Sequence, residues 1–292
     1  MTKYYQVAEH VFGIEGAEEY FAPLTNYAPF EMAEVNPQPS ALFTIKIQES
    51  AIPSGEGWEH VYTDTSDDDM PRIEMFRQPE AWLFRASVFK DSGIVCAIRC
   101  SKDWREVILY MEARYSRFAI DNAAMLVYAF ATIRFKTLLF HSSVTMRGGK
   151  GYMFLGHSGT GKSTHSKQWM TAFADAQLLN DDNPAVRIYE DGTVRVFGTP
   201  WSGKTPCYKN ADVPVAALVQ LEQAPHNEMT KLRMSQAYPF ILGSVSGLKV
   251  LPEMMDQIYE SIASLLELIP VYRLECLPNL DAARLCAQTC SL

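Results

Sequence analysis

A glycine-rich stretch between an apolar run and a helical run constrains this 292-residue chain more than any other feature. The apolar residues 152–155 predict a strand, and the pattern over residues 163–174 predicts a helix. The stretch between them fits the pattern G-x-x-x-x-G-K-[S/T]. It reads Gly156-His157-Ser158-Gly159-Thr160-Gly161-Lys162-Ser163-Thr164. A strand, a glycine-rich loop and a helix in this order are typical of a phosphate-binding loop.

Each residue type in this stretch suits phosphate binding for a physical reason. Glycines allow the tight backbone turns that point N–H groups inward around a phosphate. The first turn of the helix adds partial positive charge. Lys162 is expected to contact the β- and γ-phosphates, and the Ser163 hydroxyl to ligate Mg²⁺. The alternative is a glycine-rich turn that arises by chance.

Two adjacent carboxylates, Asp181 and Asp182, follow a short apolar run that begins at residue 178. A nucleotide site with a phosphate loop needs an acidic partner to hold Mg²⁺. With two carboxylates, one can hold the metal while the other accepts a proton from an attacking hydroxyl. The alternative is a plain turn, because Asp-Asp-Asn-Pro also suits a loop.

Three histidines and one further lysine are weaker candidates. His141 precedes Lys162 by 21 residues and is expected to lie on a neighbouring strand, within reach of the phosphates or the metal. A histidine beside a strand can equally be structural. His157 is expected to face solvent or the nucleotide edge, and His165 to pack in the helix. Lys204 lies in a Gly/Pro-punctuated loop over residues 197–205 and could contact a phosphate or an acidic substrate, although a surface turn fits it as well.

Composition excludes some classes of function. There are 26 basic and 34 acidic residues, for a net charge of −8, which argues against charge-driven binding of nucleic acid or anionic membrane. Residues 123–140 are mostly apolar, but Arg134 and Lys136 interrupt them and make a membrane span improbable. The six cysteines form no C-x-x-C pair and are expected to be buried free thiols. Together with the polar first ten residues, they predict a cytoplasmic protein.

A change in the pattern of predicted strands, helices and motifs along the chain predicts two domains. Residues 1–136 contain short strand-like segments bounded by turn residues and carry no recognisable chemical motif, so we expect a β-rich domain of unknown role. A buried helix over residues 121–135, with Asp121 or Asn122 at its start, is expected to close it. Residues 137–292 are expected to form the nucleotide-binding domain, an α/β fold with a mixed sheet and antiparallel hairpins. Asp191-Gly192 is a strong signal for one such hairpin.

Three segments together resemble a known pair of families. They are His141-Ser142-Ser143, residues 156–164 and Asn180-Asp181-Asp182. This combination is similar to the nucleotide core of HPr kinase/phosphorylase and of ATP-dependent phosphoenolpyruvate carboxykinase, which belong to one superfamily. Residues 210–223 also resemble small bacterial serine-kinase-like proteins of the same group. The resemblance covers residues 138–225, and residues 1–120 resemble no family that we can name.

The resemblance implies an activity and a set of roles. It implies a P-loop kinase domain that uses ATP and Mg²⁺, with Asp181, His141 and Lys162 as catalytic residues. Asp181 would then be the general base, and Asp182 would hold the metal together with Ser163. The expected function is an ATP- and Mg²⁺-dependent phosphotransferase acting on a hydroxyl, such as a serine of a protein or peptide.

Two other functions fit the same residues. One is a small-molecule kinase or carboxykinase-like enzyme, and the other is a non-catalytic nucleotide-binding regulatory module. The sequence leaves open the acceptor, the choice between ATP and GTP, and whether the chain forms a homo-oligomer. It predicts neither a nucleic-acid partner nor a membrane partner.

Overall fold

The computed structural model describes residues 1–33, 40–64, 71–203, 205–246 and 251–290. It divides the chain into two compact units, Met1–Ala131 and Thr132–Leu292. The sequence analysis placed this boundary between residues 136 and 137.

The described residues of the first unit form one eight-stranded sheet in the order β1-β2-β3-β8-β7-β6-β5-β4. Its strands are β1 Thr2–Val7, β2 His10–Glu15, β3 Thr44–Gln48, β4 Glu59–Asp64, β5 Ile73–Gln78, β6 Ala81–Ser87, β7 Ile94–Ser101 and β8 Glu106–Met111. β3 pairs in parallel with β2 and β8, and the other pairs are antiparallel.

One helix, α1 Ser116–Ala131, covers this sheet and packs on β7 and β8. Its apolar face joins an aromatic cluster in which the rings of Trp104 and Phe130 stack 4.6 Å apart. The predicted helix start at Asp121 or Asn122 is wrong, because both residues lie inside α1. The Asp121 carboxylate accepts a hydrogen bond from Asn26 Nδ2 at 3.0 Å, so a long-range contact explains this residue better than a helix cap.

The described residues of the second unit form nine strands. They are β9 Thr137–Leu139, β10 Ser142–Arg147, β11 Lys150–Leu155, β12 Gln177–Asn180, β13 Ala185–Ile188, β14 Val194–Phe197, β15 Asp212–Gln223, β16 Glu228–Lys231 and β17 Val271–Cys276. The main path of the sheet is β12-β10-β11-β15-β14-β13-β9, and β17 joins β15 and β16.

The α-helices that the structure describes in this unit are α2 Lys162–Ala172, α3 Met234–Ser244, α4 Pro252–Leu268 and α5 Leu280–Cys290. α2 and α5 pack on each other, as do α3 and α4. The fully buried indole of Trp169 on α2 contacts the rings of Tyr152 and Phe154 on β11. This packing fixes the start of α2 at the end of β11.

The predicted fold class, an α/β P-loop kinase domain of the HPr kinase and carboxykinase type, is wrong. The molecule consists mainly of two mixed β-sheets, and strands hold more of the described residues than helices do. In the second unit, two strand pairs are parallel, β11 with β15 and β15 with β17, and six are antiparallel. The physical reason is connection length. Tight links such as the one between Arg147 and Lys150 join antiparallel strands directly, without the helical crossovers that give an α/β fold its share of helix.

Among the helices of the described residues, none is both long enough and apolar enough to cross a membrane. The six cysteines are free thiols, four of them buried and the other two, Cys276 and Cys290, half-buried.

Candidate nucleotide-binding site

The glycine-rich stretch forms a loop between the end of β11 and the first turn of α2. Gly159 has φ +78° and Gly161 has φ +105°, a region that residues with a Cβ rarely adopt. Gly161 is the N-cap of α2, so the loop passes directly into the free N–H groups of the helix. The Thr160 hydroxyl donates to the His157 carbonyl at 2.6 Å and closes the turn. The loop therefore has the backbone geometry that is typical of anion-binding sites.

The ammonium group of Lys162 lies against this loop. Its Nζ donates to the carbonyl oxygens of Gly156 at 2.9 Å and His157 at 3.3 Å, and it is 2.9 Å from Nε2 of His141. Burial lowers the pKa of Lys162, whereas the nearby charges of Asp182 and Asp181 act in the opposite direction. A partly desolvated cation is thus held between the loop and the aspartate pair.

His141 connects Lys162 to Asp182. Its Nδ1 is 3.1 Å from Oδ1 of Asp182. Because Nε2 faces an ammonium donor, Nε2 acts as the acceptor and Nδ1–H donates to the carboxylate, which corresponds to a neutral imidazole. The three side chains form a continuous series from the aspartate pair to the phosphate loop.

A break between two strands places His141 beside Lys162 and Asp182. The sequence predicts that His141 lies on a strand, but it lies between two strands, because β9 ends at Leu139 and β10 begins at Ser142. The backbone N–H of His141 donates to the Ser244 carbonyl at 2.8 Å, at the end of α3. This contact holds the break between the two strands.

Asp181 is a buried carboxylate with unsatisfied hydrogen-bonding capacity. Its side chain is only 8% exposed, and within the described residues Oδ1 has no hydrogen-bond partner. Its backbone N–H donates to the Ser202 hydroxyl at 3.2 Å. A buried carboxylate oxygen without a partner costs free energy, so this one is typical of a group retained for function.

A buried hydrogen-bond network fixes the aspartate pair. Asn180 Nδ2 donates to the Thr199 hydroxyl at 3.0 Å, and Asn180 Oδ1 accepts from the backbone N–H of Asp182 at 2.9 Å. A Cβ at Gly203 would come within 3.0 Å of the Asp182 Cβ, so glycine permits this loop to pack on the carboxylate. The predicted contact residue of this loop, Lys204, lies outside the described residues.

Sequence reasoning did not identify these supporting residues. Asn180 entered only as part of a resemblance, and Thr199 and Ser202 not at all. Their partners are 19 to 21 residues away in sequence, and no local pattern encodes such contacts. The one available signal was the Gly/Pro-punctuated loop that contains Thr199 and Ser202.

The remaining predicted residues have mixed surroundings. The side chains of His157, Ser158 and Thr164 are exposed, and Ser163 is half-buried at the start of α2. His165 points into the core, where its Nε2 accepts from Trp169 Nε1 at 3.1 Å. Burial lowers the pKa of His165 to about 4, which keeps it neutral. It therefore belongs to the packing of α2.

The donor set fits the magnesium ion that the phosphate loop implies. Asp181, Asp182 and Ser163 offer carboxylate and hydroxyl oxygens, the hard donors that Mg²⁺ prefers. The unsatisfied Oδ1 of Asp181 agrees with a cation or a hydroxyl donor at this place.

A cavity of about 550 Å³ adjoins the loop. One side consists of loop and helix residues, and the other of the carboxyl ends of β15 and β17 with the turns that follow them. The lining residues are Gly159, Thr160, Gly161, Thr164, His165, Leu221, Gln223, Ala224, Pro225, Cys276, Leu277 and Pro278. A larger cavity, of about 790 Å³, lies at the end of β13 away from Asp182, and none of its lining residues belongs to the glycine-rich loop.

Comparison with known families gives one match. A family model described as SynChlorMet cassette protein ScmC matches residues 94–278, more than half of the chain. The chain belongs to this family. The matched range contains the glycine-rich loop, His141 and the aspartate pair, so the candidate site lies within the family's common region. Among curated proteins, none matches this chain.

Proposed function

We propose that this protein is an ATP- and Mg²⁺-dependent phosphotransferase that acts on a hydroxyl group, with a serine of a peptide or protein as the leading acceptor. The observation that carries the proposal is the series Lys162–His141–Asp182, which joins a glycine-rich loop to a half-buried aspartate next to the buried Asp181. A cation and a carboxylate pair at one end of a glycine-rich loop are groups that phosphoryl transfer uses, and they support the proposal.

Phosphate binding follows from the loop. The N–H groups at the start of α2 and the Lys162 ammonium offer positive charge where the phosphates of ATP would lie. His141, as a neutral imidazole, keeps the ammonium oriented without adding charge of its own. Mg²⁺, held by Ser163 and Asp182, supplies further positive charge against the phosphate oxygens when it is bound.

Asp181 is the proposed general base. Its buried Oδ1 has the capacity to accept the proton of an acceptor hydroxyl. The hydroxyl oxygen then bonds to the γ-phosphorus, the bond from that phosphorus to the β-phosphate oxygen breaks, and ADP leaves. The Ser202 hydroxyl and Asn180 Oδ1 accept from the backbone N–H groups of Asp181 and Asp182, and so hold the backbone that carries the carboxylate.

A cytoplasmic location is part of the proposal. The six thiols are free in the structure, which suits a reducing compartment that also supplies ATP.

The experiment is transfer of label from [γ-³²P]ATP to a proteome extract, run beside nucleotide binding. The wild type and Asp191→Asn, a control in an exposed hairpin turn, should both bind Mg-ATP and label acceptors. Asp181→Asn should bind Mg-ATP but label acceptors at least about 10²-fold more slowly. If the wild type and Asp191→Asn bind Mg-ATP but, like Asp181→Asn, label no acceptor, the non-catalytic regulatory module is supported instead. Labelling confined to the small-molecule fraction would support the small-molecule kinase.

A further inference from the structure

We propose that the cavity beside the glycine-rich loop holds the base of the nucleotide, and that nonpolar packing recognises the base, so that ATP and GTP are accepted almost equally. This inference rests on the proposed function, because it assigns the part of the nucleotide that the phosphate site leaves undetermined.

The two ends of the loop differ in chemistry. Gly159, Thr160 and Gly161 line the cavity, whereas the Lys162 ammonium contacts the carbonyls of residues 156 and 157 and the His141 ring. Neither His141 nor the two aspartates line the cavity. A nucleotide lying across the loop therefore has its transferable phosphate at the His141 end and its base at the cavity end.

Sheet topology explains why a cavity forms here. β15 and β17 are parallel neighbours, with Gln223 opposite Cys276, so both strands end at the same edge of the sheet. The chain turns away at Ala224-Pro225 and at Leu277-Pro278, and the Ala224 N–H donates to the Cys276 carbonyl at 3.2 Å. Ligands commonly bind outside the carboxyl ends of parallel strands. The volume of about 550 Å³ lies within the usual range for small-molecule sites.

The lining explains the proposed lack of discrimination. Its far wall is formed by Leu221, Ala224, Pro225, Leu277 and Pro278. Three of the polar side chains in the lining are already engaged. Gln223 Nε2 donates to the Gly159 carbonyl at 3.2 Å, Thr160 donates to the His157 carbonyl, and His165 accepts from Trp169. A nonpolar pocket discriminates only weakly between ligands that differ in polar substituents.

The test separates the base from the phosphates by using inorganic tripolyphosphate, which has no base. We would measure the dissociation constants of Mg-ATP, Mg-GTP and Mg-tripolyphosphate by titration calorimetry. The wild type should bind ATP and GTP with constants within about threefold of each other. Ala224→Phe, which fills the cavity, should weaken ATP at least about tenfold and leave tripolyphosphate unchanged. Ala174→Phe, at an exposed position beyond the far end of α2, is the matched control and should change neither.

A second variant covers the case in which Ala224→Phe fails to fold. Leu277 is 39% exposed, so Leu277→Ala should keep the fold while removing part of the wall, and it should weaken ATP but not tripolyphosphate. The inference is overturned if the cavity variants leave ATP affinity unchanged, or if they weaken ATP and tripolyphosphate equally. A wild-type preference above about tenfold for one purine would also overturn it, because polar contacts would then read the base. If the wild type binds neither ATP nor tripolyphosphate, the proposed function itself fails.

Discussion

Asp181 and Asp182 are adjacent in sequence but have different surroundings. Asp182 is paired with His141, whereas Asp181 is buried with an unsatisfied oxygen. This difference agrees with the division of labour that the resemblance implied. Substituting one residue should therefore have a different effect on the reaction from substituting the other.

We predict that Asp181→Asn binds Mg-ATP normally but loses about 10²–10⁴-fold in transfer rate, because it removes the proton acceptor. Asp182→Asn should instead raise the Mg²⁺ concentration needed for half-maximal rate. Initial rates measured across a magnesium titration would show both effects. If the two phenotypes are reversed, Asp182 is the general base and Asp181 serves the metal. If both variants are active with normal magnesium dependence, the two aspartates form only a turn and take no part in the reaction.

Asp121 gives a residue-scale prediction about stability. Burial raises its pKa above the ordinary value, and hydrogen bonds from Asn26 and Tyr27 and the charge of Arg117 oppose the shift. An acid whose folded pKa is raised contributes stability that is present below the unfolded pKa and is lost as pH rises through the folded pKa.

Asp121→Asn keeps an oxygen that can accept from Asn26 and removes the buried charge. We expect a higher unfolding midpoint than wild type at pH 7, and a smaller difference at pH 4. Thermal unfolding at the two pH values would measure it. A variant that is less stable than wild type at pH 7 would show that the charged carboxylate is required.

At the scale of elements, the glycine-rich loop was predictable because its conformation is local. Its neighbours were harder to predict. β1 and β2 are joined by Ala8 and Glu9, both at positive φ, where a hairpin signal would normally show glycine or asparagine. α3 contains Pro239, which is typical of a helix end rather than a helix interior. Both elements were missed for these reasons.

The loop itself carries an element-scale prediction. Gly161→Ala should disrupt the passage into α2, because an alanine Cβ has space there but φ +105° is strained for it. We expect nucleotide affinity to fall at least about tenfold while the far-ultraviolet spectrum is unchanged. Gly93→Ala is the control, since its φ is ordinary and its Cβ would meet open space. Equal affinities in the two variants would mean that the loop does not hold the phosphates.

At the scale of the whole molecule, sequence reasoning predicted the loop and many strands but not the fold class. Strand neighbours depend on long-range pairing. β15, for example, pairs with β14 near its start and with β11 and β17 further along. A strand–loop–helix motif specifies one such unit and leaves the remaining pairings open. The family match covers most of the second unit but names no activity, so function has to be argued from the site.

The measurement that tests the account most directly is the affinity of the whole chain for Mg-ATP, by titration calorimetry, with and without the Lys162 ammonium. Lys162→Met should weaken binding by about 1.5–3 kcal/mol, the usual value of a charge-assisted contact to phosphate. Lys167→Met, at an exposed position on the same helix, should bind like the wild type. Equal affinities for wild type and Lys162→Met, or no binding by the wild type, would contradict the placement of a nucleotide at this loop.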